Sequence, residues 1–223
     1  MKAARGWELY LVTDRALAGA RPLEALVEAA VRGGVSAVQL REKDCPTRDF
    51  LDLGRALQRL LAPLGVPLIV NDRVDVALAI GAAGVHIGQR DMDFESARRL
   101  LGPHAVIGLS IETVEQARAA ERLDAAYLGV GPVFPTPTKA DAAPALGLAG
   151  LAQVRAVSRH TLVAIGGIGA GNARQAIESG ADGVAVVSAI CAAGDPEGAA
   201  RELRQAIDGA LRGAAAIHGT NRG

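Results

Sequence analysis

The sequence predicts a single (β/α)8 barrel of the TIM type. Three observations carry that expectation: eight short apolar, β-rich runs, a segment of helical period after each, and a glycine at several seams between a helix and the next strand. A chain of 223 residues suits one such domain, since α/β barrels run to about 200–250 residues. The predicted strands are 7–13, 37–41, 68–71, 84–87, 106–109, 126–129, 161–165 and 183–187. Between and after them lie helical patterns at 22–32, 47–61, 74–79, 94–101, 114–122, 150–158, 172–178 and 196–211, of which the third is short. Seams such as Arg32-Gly33-Gly34-Val35 and Ser179-Gly180-Ala181-Asp182-Gly183-Val184 read as a helix C-cap followed at once by a buried strand.

An open dinucleotide-binding sheet has the same alternation, but it requires GxGxxG after its first strand. Here that turn reads Asp14-Arg15-Ala16-Leu17-Ala18-Gly19, which excludes it. The domain is expected to span 1–223, with roughly the last dozen residues, 212–223, as a frayed tail.

Composition narrows the function class. Lys plus Arg and Asp plus Glu each total 24, so no global field favours nucleic acid or an anionic membrane, and any anion must be held locally. Two cysteines without a CxxC point away from a disulfide framework and toward a reducing compartment. The N-terminal segment lacks the uninterrupted apolar core of a signal peptide, and the expected location is cytoplasmic. A homo-oligomer remains compatible with the sequence.

In a barrel the chemistry is expected at the C-terminal strand ends. The second strand ends in Gln39-Leu40-Arg41-Glu42-Lys43, and alternation puts Gln39 and Arg41 on one side. An amide, a guanidinium and an ammonium at a barrel mouth suit a diphosphate and an adjoining ring. The alternative is a strand-end ion-pair cluster with Glu42. Asp72 ends the third strand and Asp91 follows the fourth, so adjacent strand ends bring together two carboxylates of the kind Mg²⁺ prefers. Aspartate as a turn or cap residue is the alternative there. Ser110, ending the fifth strand, could donate to phosphate or cap the next helix.

The loop Gly131-Pro132-Val133-Phe134-Pro135-Thr136-Pro137-Thr138-Lys139 cannot continue a helix or a central strand, and its lysine is suited to meet an anion. Gly166-Gly167 and Val187-Ser188 follow the last two strands, where barrels commonly cradle phosphate with backbone N–H groups. His86 reads as a lining or hydrogen-bonded histidine, and Phe94 and Tyr127 as packing residues. Cys45 has no histidine at a fixed relation to it, so a thiol nucleophile is not expected.

Together these motifs make the chain similar to the bacterial thiamine-phosphate synthase family. The likeness runs from about residue 10 to 204 and rests on Gln-Leu-Arg-Glu-Lys at 39–43, Asn-Asp at 71–72, His-Ile-Gly-Gln at 86–89 with Asp91, Gly-Leu-Ser at 108–110, the 131–139 loop, Gly-Gly-Ile at 166–168 and Val-Ser-Ala-Ile at 187–190. The resemblance implies transfer of a 4-amino-2-methyl-5-pyrimidylmethyl group from its diphosphate to 4-methyl-5-(2-phosphoethyl)thiazole. It implies pyrimidine diphosphate contacts at Gln39, Leu40, Arg41, Glu42, Lys43, Asn71, Ser110 and Lys139, with Arg41, Lys43, Ser110 and Lys139 serving the chemistry. It further implies Mg²⁺ at Asp72 and Asp91, and thiazole phosphate contacts at Thr136, Pro137, Thr138, Gly167, Val187 and Ser188. Glu112 departs from the histidine common in this family and is expected to turn away from the mouth toward the following helix. A thiazole tautomerase or a ligand-sensing barrel would keep the phosphate cradle but has no use for the clamp and carboxylate pair.

Overall fold

The computed structural model describes residues 6–136 and 144–219. Eight parallel strands close in sequence order: β1 (Leu9–Val12), β2 (Ala37–Leu40), β3 (Leu68–Asn71), β4 (Gly84–Ile87), β5 (Val106–Ile111), β6 (Tyr127–Val130), β7 (Leu162–Ile165) and β8 (Gly183–Val186), with β8 returning to β1. The helices are α1 (Arg15–Ala18), α2 (Leu23–Arg32), α3 (Thr47–Leu61), α4 (Val74–Ile80), α5 (Phe94–Leu101), α6 (Val114–Ala120), α7 (Gly147–Val157), α8 (Ala173–Glu178), α9 (Ser188–Cys191) and α10 (Pro196–Gly219). The eight-stranded barrel predicted from the alternation is therefore what forms.

Strand alternation divides the core in two. Tyr10, Val12, Ala37, Ile69, Tyr127, Val163 and Ala185 fill the barrel interior. Their neighbours, such as Leu9, Leu11, Val38 and Leu40, face outward into a continuous layer beneath the helices. The helices supply the other half of that layer. In α3 the buried positions Phe50, Gly54, Leu57 and Leu61 recur at helical spacing, and Gly54 leaves room for Ile80 and Leu40.

The last helix, α10, runs through Gly219, past the point near residue 212 at which the tail was expected to begin, and Ala214, Ala215 and Ala216 have high helix propensity. It packs on α2 and α8 and so closes the helical ring. Residues 220–223 lie outside those described. The short helices α1 and α9 have too few residues to show a period, which is why the sequence did not reveal them. Among the described residues no helix is long and apolar enough to cross a membrane.

Candidate active site

The C-terminal strand ends surround a cavity of about 440 Å³. Gln39, Arg41, Lys43, Asn71, Asp72, Asp91, Ser110, Thr136, Gly167, Val187 and Ser188 all line it. A second hollow of about 400 Å³ adjoins it and shares Thr136, Gly167, Ile168 and Ser188. Pro137, Thr138 and Lys139, expected to contribute from the same loop, lie outside the described residues.

On the β2 side, Thr13 ends the first strand in a fully buried position and ties the two strand ends together. Its N–H donates to the Gln39 carbonyl at 2.9 Å, and its Oγ1 accepts from the Arg41 N–H at 3.0 Å. The backbone that carries the Arg41 guanidinium is therefore fixed. Thr13 escaped the sequence reading because its role is a cross-strand contact, invisible to spacing. Among the described residues neither Arg41 nor Lys43 forms a direct ion pair, although Arg41 acts on Glu42 and Lys43 on Asp72 through their charges.

Two members of the 39–43 motif are placed elsewhere. The Leu40 side chain is fully buried in the layer beneath the helices, as alternation demands of a residue beside inward-facing Gln39. Glu42 turns to Arg15, its Oε2 accepting from Nε at 2.9 Å and lying 2.7 Å from Nη2. The Leu40 side chain thus lies away from the mouth, while Glu42 keeps its second carboxylate oxygen, the buried Oε1, without a hydrogen-bond partner. The predicted ion-pair partner of Glu42 is supplied by α1, and the clamp cations stay open.

Asp72 and Asp91 form a close carboxylate pair. Asp72 has φ of 61°, a left-handed conformation uncommon for a residue with a Cβ, and its N–H donates to the His86 carbonyl at 2.8 Å. That turn directs its carboxylate into the mouth. Asp91 is steadied by the Gly88 N–H, which donates to Oδ2 at 2.7 Å. Burial, followed by the hydrogen bond and the charge of Asp91, raises the Asp72 pKa from 3.8 to about 6, while Lys43 and Asn71 oppose the shift. Two carboxylates this close hold a proton between them or accept a hard cation through oxygen. Among the described residues no third acidic, histidine or cysteine side chain joins them.

A stability consequence follows for metal-free protein. Because the folded pKa of Asp72 lies above its free value, its contribution is present below about pH 4 and is lost as pH rises through about 6. Thermal melts in EDTA should therefore show the wild type losing stability relative to Asp72→Asn over that interval. A profile unchanged by the substitution would remove Asp72 as its source.

At the opposite side of the mouth, Gly166 and Gly167 adopt φ of 98° and 63°. A Cβ at Gly167 would lie 2.6 Å from the Pro135 carbonyl oxygen, so only glycine lets the loop after β6 rest on this turn. The base of that loop is clasped at both ends: Val133 N–H donates to Ile165 O at 2.8 Å and Leu146 N–H to Pro132 O at 2.8 Å. Next to it begins α9, whose first N–H groups have no partner within the helix and whose Ser188 and Ala189 line the adjoining hollow.

Glu112 is among the residues that line the mouth. Thr113 caps the following helix, its side chain accepting from Gln116 N–H at 3.2 Å, while Gln116 Oε1 accepts from the Glu112 N–H at 2.7 Å.

A mouth with two open cations and a carboxylate pair, beside a glycine-lined anion hollow, is suited to two phosphorylated ligands at once. The profile of the thiamine monophosphate synthase family matches residues 9–190. The chain belongs to the thiamine monophosphate synthase family. Within it, the chain is 59% identical over 200 residues to the thiamine-phosphate synthase of Albidiferax ferrireducens, covering 90% of this chain and 91% of that protein. It is 55% identical over 199 residues to the thiamine-phosphate synthase of Syntrophomonas wolfei, covering 89% and 95%. A solved thiamine phosphate pyrophosphorylase from Pyrococcus furiosus is similar throughout, with TM-score 0.85, 39% identity and coverage of 93% of this chain and 98% of that one. The family's barrel and the barrel described above are thus one fold.

Proposed function

We propose that this enzyme joins 4-amino-2-methyl-5-pyrimidylmethyl diphosphate to 4-methyl-5-(2-phosphoethyl)thiazole, releasing diphosphate and forming thiamine phosphate. The observation that carries the reading is the pairing of a cation-lined mouth with an adjoining glycine-rich hollow, two anion sites sharing Thr136, Gly167 and Ser188. In this reading Gln39, Asn71 and Ser110 hold the pyrimidine diphosphate, and Gly167, Val187 and Ser188 hold the thiazole phosphate with Thr136, Pro137 and Thr138. Two free cysteines fit a cytoplasmic setting.

The bond between the methylene carbon and the diphosphate oxygen breaks, the electron pair leaving with diphosphate, and the thiazole nitrogen lone pair then forms the new carbon–nitrogen bond. The electron-rich aminopyrimidine stabilises the transient cation, so no protein nucleophile takes part. Arg41, Lys43 and Lys139 meet the charge developing on the leaving group. The phosphate cradle holds the thiazole nitrogen near the methylene, turning a bimolecular encounter into a local one. Asp72 and Asp91 are the residues that would hold Mg²⁺, which when bound supplies charge neutralisation to the diphosphate.

A coupling assay with both phosphorylated substrates, with Mg²⁺ or with EDTA, tests the reading by chromatography of thiamine phosphate. Product only in the presence of the cation is the expected result. Folded protein that binds thiazole phosphate yet makes no product would assign the barrel to a tautomerase or sensor role.

A further inference from the structure

Beneath the mouth a hydrogen-bonded chain of side chains crosses the barrel. Gln39 Nε2 donates to Tyr10 Oη at 3.0 Å, Tyr10 Oη meets Tyr127 Oη at 2.9 Å, Tyr127 Oη meets His86 Nδ1 at 2.9 Å, and His86 Nε2 meets Ser110 Oγ at 2.9 Å. The five residues come from β1, β2, β4, β5 and β6. Gln39, Tyr10 and Tyr127 are almost wholly buried, while Ser110 opens on the cavity.

The direction of the donors follows from satisfying each buried hydrogen. Tyr10 Oη already accepts from Gln39, so its own hydrogen must go elsewhere, and among the described residues Tyr127 Oη is the acceptor within reach. Tyr127 has then accepted once and donates its hydrogen to His86 Nδ1. A neutral imidazole that accepts at Nδ1 carries its hydrogen on Nε2, and that hydrogen points at Ser110 Oγ. With the Gln39 amide donating, the reverse polarity would leave the Tyr10 hydroxyl hydrogen buried without an acceptor. Burial by itself raises the acid strength threshold of both phenols far above the ordinary tyrosine value, so both remain donors at any working pH.

We propose that His86 is a positioning residue for the coupling reaction: fixed as the Nε2–H tautomer by the Gln39–Tyr10–Tyr127 chain, it donates to Ser110 Oγ and leaves the Ser110 hydrogen to donate into the mouth. With a lone pair of Ser110 engaged by His86, the hydroxyl meets an anionic oxygen as a donor. Under the opposite polarity Ser110 would spend its hydrogen on His86 and turn lone pairs toward the diphosphate. The inference rests on the reading that Ser110 contacts the pyrimidine diphosphate.

The strands make room for this chain at specific places. A Cβ at Gly108 would overlap the Tyr127 ring, and one at Gly129 would lie 2.9 Å from His86 Cε1. Trp7 packs against Tyr127 from the other end of the barrel, with centroids 4.4 Å apart, which keeps the phenol from retreating. An apolar barrel layer would need neither the glycines nor the paired phenols.

The test begins on the unaltered enzyme, with 15N-labelled histidine: ring nitrogen chemical shifts report which nitrogen of His86 is protonated. The expected result is Nε2–H in wild type and a mixture of tautomers in Tyr127→Phe. His86→Asn, which keeps an acceptor near Nδ1 but has no donor at Nε2, should lower kcat/KM for the pyrimidine diphosphate about tenfold while leaving KM for thiazole phosphate unmoved. His86→Gln, which restores an N–H near Nε2, should retain more activity than His86→Asn. In a Ser110→Ala background, already impaired, His86→Asn should add little. An Nδ1–H tautomer in wild type, or full additivity of the two substitutions, would overturn the positioning role alone. A Ser110→Ala enzyme with undiminished kcat/KM would instead overturn the underlying assignment of Ser110 to the diphosphate.

Discussion

Arg41→Ala is expected to lower kcat/KM for the pyrimidine diphosphate by about a hundredfold to a thousandfold, the range typical for removing one preorganised donor to developing negative charge. Thr13 Oγ1 anchors the Arg41 N–H, the residue follows the last position of β2, and its side chain lines the mouth without an ion-pair partner among the described residues. A guanidinium without a direct ion pair in that place adds little to folding and is available to the leaving diphosphate. Arg41→Lys should recover part of the loss, because it keeps the charge but not the two-pronged donor geometry. Steady-state kinetics with each substrate varied in turn should find KM for thiazole phosphate little changed, and thermal melts should match the wild type. A loss smaller than about threefold would remove Arg41 from charge stabilisation.

A large effect on stability is expected from Gly108→Ala. On β5, Gly108 faces the barrel interior opposite the fully buried Tyr127 ring, and an added Cβ would occupy the space of the ring's Cζ and hydroxyl. The ring has nowhere to move: Trp7 lies against one face, and its hydroxyl is held by Tyr10 and His86. Overpacking a close-packed core costs about 1–3 kcal/mol and occasionally more. With the hydroxyl chain also broken, we expect the upper end, or a fall of roughly 6–12 °C in melting temperature for a chain of this size. Repeating the substitution in a Tyr127→Leu background checks the cause, since the added cost should shrink once the ring is gone. An equal cost in both backgrounds would mean that the clash with Tyr127 is not its source.

Much of the molecule was legible before folding was considered. Most strand limits differ from the predicted ones by only a residue or two, because β-branched runs bounded by glycine seams leave little freedom; β1 is the shortest relative to its prediction, since 7–8 and Thr13 flank the paired segment. The clusters around Arg41, Asp72 and Gly167 were legible for a related reason: polar side chains or paired glycines at the end of an apolar run stand out where a packing residue would otherwise be. Leu40 and Glu42 were drawn into the clamp only by adjacency in the motif, and alternation sends one beneath the helices while Arg15 captures the other.

What escaped the sequence reading is the set of contacts between strands. Tyr127 read as a packing residue because a buried tyrosine within an apolar strand looks the same whether or not its hydroxyl has a partner. Its partners Tyr10 and His86 lie on β1 and β4, and no spacing along the chain encodes their meeting. The sequence by itself determined the barrel, the family and the residue types at the mouth, because hydrophobic period, turn glycines and strand-end polar groups are local properties. Only the tertiary structure decided which of those side chains face one another, the 2.9 Å meeting of His86 Nε2 with Ser110 Oγ and the closeness of Asp72 to Asp91, because barrel closure brings neighbouring strands into register and sets distances that no local pattern specifies.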